Sequence, residues 1–204
     1  ALKSAVKEMA YNDEESSVRT AAVEIMASVY GESDEEFYLS RLNDPSYRVN
    51  AAALNGLSKQ NAQSALNQAR KLGPDAKSSL VNSCMRVMAD HGGKEDASFM
   101  KAQATDASGF GAVSVRGIYA DYLARQDENV IADGYSVLTD AARNASPWYL
   151  RYTAMNNLES LRDGLKECMD DGEWVASMVE RLGTEMAEIK AAETHPTLKS
   201  YWDR

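Results

Sequence analysis

The chain has 204 residues, 44% of them hydrophobic, which is enough to bury a genuine core and too apolar for a solvated tail. Its 31 acidic and 22 basic side chains give a formal charge of −9, which opposes binding to a phosphate backbone or an anionic lipid surface and so argues against nucleic acid as a partner. No apolar run approaches the roughly 18 residues that a membrane-spanning helix needs, so no membrane role is expected.

The opening ALKSAVKEMA reads as a helix already under way, without the apolar core of a secretory signal, and the chain is expected to be a segment of a longer polypeptide. DEESSVRTAAVEIMASV follows, placing Val18, Ala21, Ala22, Ile25, Met26 and Val29 at helical spacing behind Asp13. A shorter helix is predicted over residues 35–42, behind a capping box of Ser33 and Glu36. In NDPSYRVNAAALNGL, Val49, Ala52, Ala53, Gly56 and Leu57 fall at i, i+3, i+4, i+7 and i+8, with Asp44 expected as the N-cap and Pro45 at the first helical position. Asp44 and Val49 lie 31 residues beyond Asp13 and Val18, so the design occurs twice.

A partner helix is predicted over 62–72, ended by Gly73 and Pro74, and then Asp75, Leu80, Cys84, Met85 and Met88 supply a third copy at the same interval. The spacing predicts further helices over 95–104, in VSVRGIYADYL around Val115 and Arg116, and over 128–142 with Ile131, Tyr135, Leu138 and Ala142 on one face. SPWYLRYTAMNNLESL opens at Ser146-Pro147 and carries Leu150, Ala154, Leu158 and Leu161 on its stripe. A long last helix, from 173 to about 193 with Val175, Met178, Val179, Leu182, Met186 and Ile189, is expected to close the stack.

One hairpin cannot bury its own apolar stripe, so neighbouring hairpins must lean on each other; a period of 31 to 35 residues is the signature of that solution. The expected fold is all-α, an α-solenoid of stacked antiparallel hairpins forming a single domain over 1–204. Strand alternation is nearly absent.

Chemistry is harder to find. His91 and His195 are far apart in sequence, and neither has a metal-ligand partner at a usable spacing. His91 in ADHGGK suits a helix end, and His195 precedes Pro196 in what reads as a tail. There is no G-x-S-x-G elbow, and the glycines of HGGKE and SGFGA lack phosphate-loop spacing. Cys84 and Cys168 sit at apolar helical positions and read as buried thiols. The acidic clusters NDEE, ESDEE and CMDDGE suit helix starts and turns, and they lack the alternating ligands of a calcium loop. No catalytic, cofactor-binding or metal-ligating residue is therefore expected in this chain. Aromatic side chains gather after Gly109, and Trp148 and Tyr149, adjacent on one helix, must point to different faces. Most of these aromatic side chains are expected in the core or in local packing, and of Trp148 and Tyr149 at least one, pointing away from the stripe, is the candidate partner surface.

DEESSVRTAAVEIM and NDPSYRVNAAALNGL resemble HEAT-type repeat helices, in which an Asp and an Arg commonly bridge successive repeats. Asp13, Asp44, Arg19, Arg116 and Arg151 match that pattern, while Asn50 and Val81 depart from it. RLNDPSYRVNAAALNGLSKQNAQSALNQARKL, leading to WYLRYTAMNNL, is similar to the helical C-terminal region of bacterial aminopeptidase N-type zinc metallopeptidases. That resemblance implies a zinc motif H-E-x-x-H, its downstream glutamate and a G-x-M-E-N loop on an upstream domain; none occurs here, so no catalytic residue is carried over. It implies zinc in the parent enzyme rather than in this chain, the upstream catalytic domain as the partner, and an exported bacterial setting. The expected role is an accessory domain shaping access to that catalytic domain. A free-standing adaptor that binds another protein on the solenoid surface is the alternative, while an enzyme working in the helical groove is opposed by the charge and the missing acid–base pair.

Overall fold

Helices account for every regular element in a computed structural model that describes residues 2–31, 34–167 and 172–202. Two units divide the chain, Ala1–Gly92 and Gly93–Arg204. No helix among the described residues is long and apolar enough to cross a membrane.

In the first unit the helices pair along the chain. α1 (Leu2–Asn12) packs on α2 (Ser16–Ser28), α3 (Glu35–Arg41) on α4 (Tyr47–Gln60), and α5 (Ala62–Leu72) on α6 (Ser79–His91). The second helices also touch in series, α2 on α4 and α4 on α6. This explains the composition of α4. With neighbours on several sides it buries Val49, Asn50, Ala51, Ala52, Ala53, Leu54, Gly56 and Leu57, and its alanines let the helices approach closely. Full burial of Leu54 and of Leu57 contributes about 2 kcal/mol each.

The helices that recur at 31-residue intervals in the first unit, α2, α4 and α6, pack in series, but their starts and the first stripe differ from expectation. Asp44 is not the N-cap. Ser46 takes that place and α4 begins at Tyr47, two residues past Pro45. Asp44 Oδ1 accepts the Ser46 N–H at 2.9 Å, and Asp13 Oδ1 accepts the Glu15 N–H at 2.9 Å ahead of α2. An aspartate that closes its own turn offers the backbone an alternative to starting a helix there. Asp75 lies in a 3-10 turn, Gly73–Asp75, before α6 begins at Ser79. Ser33 of the expected capping box lies outside the described residues; Asp34 caps α3 instead, accepting the Phe37 N–H at 3.3 Å. α5 spans the predicted residues, with Asn61 Oδ1 accepting the Ser64 N–H at 3.0 Å. On α2, Ala22, Val23 and Met26 are buried, but Val18 and Ile25 are 37% and 38% exposed, and Val29, just past the helix end, is 69% exposed.

In the second unit a 3-10 turn, Lys94–Asp96, leads into α7 (Ala97–Asp106), α8 (Gly111–Leu123), α9 (Glu128–Gly134), α10 (Ser136–Asn144), α11 (Trp148–Glu167), α12 (Glu173–Ala192) and α13 (Pro196–Trp202). α8 packs on α11 and α11 on α13, while α7 touches α9 and α10, and α10 touches α12. The helix expected over 128–142 is two helices. They meet at Gly134 and Tyr135, yet Ile131, Tyr135, Leu138 and Ala142 are all buried, so the stripe runs unbroken across the joint. α12 does not end the chain's structure: α13 follows, with Leu198 fully buried, so His195 leads into a helix rather than lying in a tail. Leu150, Ala154, Leu158 and Leu161 are buried as the spacing predicts.

Candidate functional site

The polar chemistry gathers where the hairpin loops meet, around three arginines near the starts of α2, α8 and α11. Arg19 grips two partners at once. Its Nη1 donates to the carbonyl oxygens of Asp13 and Glu14 at 2.8 and 3.0 Å, in the loop entering its own helix. Its Nε and Nη2 donate to the two oxygens of Asp44 at 2.8 and 2.9 Å, in the loop of the next hairpin. Arg151 repeats this geometry: Nη1 donates to the Ala145 carbonyl at 3.0 Å, while Nε and Nη2 take both oxygens of Glu193 at 2.8 and 3.1 Å. Glu193 Oε1 also accepts the N–H groups of Thr194 and His195, which fixes the approach to α13.

These forked pairs are well buried, with side-chain exposure of 13% and 4% for Arg19 and Asp44 and of 17% and 5% for Arg151 and Glu193. Two parallel charge-assisted bonds offset the desolvation that such burial costs. Burial works to raise the Asp44 carboxyl, but the Arg19 hydrogen bonds and the Ser46 N–H outweigh it and hold it below the ordinary carboxylate value. The hydrogen bonds from Arg151 hold Glu193 below its ordinary value too, against burial. In the same way the bond to Asp44 raises Arg19.

Arg116 departs from this pattern. Its Nε and Nη2 donate to the carbonyls of Ala104 and Ala107 at 3.2 and 2.9 Å, and it makes no ion pair among the described residues. Burial therefore lowers its pKa. It borders a groove of about 650 Å³, lined also by Lys101, Thr105, Ser136, Asp140 and Asn144. Asn50 stands where Arg19 stands one repeat earlier, and its Nδ2 donates to the Leu42 carbonyl. The shorter side chain keeps the bond to its own loop and lacks the reach to the next hairpin.

Trp148 and Tyr149, the expected partner surface, are both half-buried. Trp148 is largely engaged within the chain, stacked on His195 with ring centroids 5.5 Å apart and on Tyr201 at 6.3 Å, with Tyr149 edge-on at 6.4 Å. Tyr152 meets Tyr201 at 5.6 Å. Through Trp148 and Tyr152 this cluster fastens α13, a short helix not expected from the sequence, to α11.

His91 ends α6, with its Nε2 hydrogen-bonded to Ser58 Oγ at 3.1 Å. Among the described residues no group of three or more His, Cys, Asp and Glu side chains is placed to hold a metal. Cys168 lies outside the described residues. Cys84 is fully buried, and burial pushes its thiol up to about 12. In a Cys168→Ser background, native protein at neutral pH is expected to react with a disulfide reagent only as fast as it opens, orders of magnitude below its rate in denaturant. Equal rates in the two conditions would contradict the burial.

No family model matches the chain, and no curated protein matches it in sequence.

Proposed function

We propose that the chain is a HEAT-like α-solenoid acting as a non-catalytic accessory domain of a bacterial aminopeptidase N-type zinc metallopeptidase. In this reading the helical stack packs against an upstream catalytic domain and narrows access to its cleft. The observation that carries it is the pair of forked bridges, Arg19 to Asp44 and Arg151 to Glu193. Both start from arginines that the HEAT-type resemblance singled out, and each joins a hairpin to the following one. Glu193 replaces the family's aspartate, which changes the reach and not the chemistry.

The test begins with the coding sequence ahead of residue 1. An H-E-x-x-H helix followed by the distal glutamate is expected, and its absence removes the peptidase reading. In the full enzyme, deleting residues 1–204 should leave zinc content and hydrolysis of short aminoacyl substrates in place while changing discrimination against longer peptides. Unchanged discrimination would overturn the access role.

The net charge of −9 favours a second reading, an adaptor that binds a basic protein surface. A stoichiometric partner released by salt would support it, and an intact zinc site on the parent polypeptide would make it unnecessary.

A further inference from the structure

The first hairpin leaves open a face that the next two hairpins cover. On α2, Val18, Ala21 and Ile25 are exposed at i, i+3 and i+7. Shifted by 31 residues, they become Val49, Ala52 and Gly56 on α4, and by a further 31, Leu80, Ser83 and Val87 on α6. All six of these are buried. α4 has the preceding helix α2 against it, together with Tyr38 of its own partner α3, which meets Gly56, and α6 has α4, whereas α2 packs on α1 of its own hairpin and on α4 ahead of it. What α2 lacks is the helix behind.

A second observation, polar and independent, points the same way. Asp13 holds the position of Asp44, and its Oδ1 likewise accepts the N–H two residues on. Asp44 also receives the fork of Arg19 from the preceding hairpin. Arg19 bonds only the backbone carbonyl of Asp13, and the Asp13 carboxylate accepts no arginine fork among the described residues. It lies beside a groove of about 420 Å³ shared with Arg19, Arg41 and Asp44, within hairpin loops that already display this type of bridge.

We infer that the exposed face of α2, with Asp13 at its edge, is a docking surface for one further helical hairpin of the chain's own repeat design, joined in sequence ahead of α1. Its second helix lays an apolar stripe on Val18, Ala21 and Ile25, as α2 lies on α4, and its arginine forks onto Asp13, as Arg19 forks onto Asp44. Covalent linkage suits this occupant better than a free copy, because a repeat of 31 residues brings the two faces together with little loop-closure cost. The inference stands apart from the peptidase reading, since it uses only the internal repeat.

The experiment adds a second copy of residues 1–31 directly ahead of the full chain, preserving the interval. The unfolding midpoint is expected to rise by at least about 5 °C, and amide exchange in the original α2 to slow by about a hundredfold. Asp13→Asn in the acceptor hairpin should remove part of that gain, and Ile25→Lys there should abolish it while barely altering the chain without the added copy. An unchanged midpoint, with the added copy exchanging as an unfolded tail, would overturn the inference. So would dimerisation of the unmodified chain at micromolar concentration that Ile25→Lys abolishes, because the face would then belong to a second copy.

Discussion

Gly56→Ala is expected to destabilise the first unit by about 2 kcal/mol, although alanine is the better helix former by about 1 kcal/mol. A Cβ at position 56 would lie 2.7 Å from Cδ1 and 2.9 Å from Cζ of Tyr38, and closer still to Cε1. Tyr38 is fully buried and held edge-on against Phe37 with ring centroids 5.1 Å apart, so the ring has no solvent to move into. The glycine is there because α4 passes directly over the tyrosine of its partner helix α3. Chemical denaturation measures the effect; a gain in stability would show that helix propensity outweighs the contact. Gly134 makes a similar approach to the Tyr119 hydroxyl and Leu123, so Gly134→Ala should also lose stability.

Asp44→Ala is expected to cost about 3 kcal/mol, because it leaves the Arg19 guanidinium buried at a loop junction with its cationic fork unanswered. Glu193→Ala should do the same to the second unit. Both effects depend on pH with a sign set by the folded state. The ordinary values are 3.8 for Asp44 and 4.5 for Glu193, and each carboxyl is held below its value in the folded chain. The unfolded chain therefore binds the protons first as pH falls. The stabilisation is complete at neutral pH, declines below about 4.5 and is lost as pH passes through the lower folded values. Against pH, the difference in stability between wild type and Asp44→Ala should shrink on acidification. A difference that stays constant from pH 7 to pH 3 would show that the loss comes from packing instead of charge.

Much of this was legible in the residues themselves. The recurrence of Asp, Val, Ala and Leu at 31-residue intervals predicts paired helices because a helical stripe has one period and one hairpin has one length. α5 agrees with its predicted span because Asn61 supplies an unambiguous cap. The expected start of α4 at Asp44 and Pro45 is early, since a sequence does not tell an aspartate that caps a helix from one that closes its own turn ahead of it. The α9–α10 break was hidden because the buried stripe continues through Tyr135. α13 was missed because seven residues hold too few turns to display a period.

The arginines were legible as residues and not as links. Arg151 finds its carboxylate 42 positions away and Arg19 25 positions away, so no fixed spacing joins them, and the carboxylate is a glutamate in one case. Arg116 carries the same sequence texture and has no carboxylate partner among the described residues. The exposure of Val18 and Ile25 could not be read either. Periodicity reports that a face is built for packing, and only the neighbouring helices decide whether it is packed.

Three cysteines placed one at a time at equivalent repeat positions test the account most directly. In a background of Cys84→Ala and Cys168→Ser, Val18→Cys, Val49→Cys and Leu80→Cys are each labelled with a thiol reagent in the native state. Val18→Cys is expected to react at close to the rate of an open thiol, and the other two at least about a hundredfold more slowly. Comparable rates at all three positions would contradict the stacking of each hairpin on the one before it.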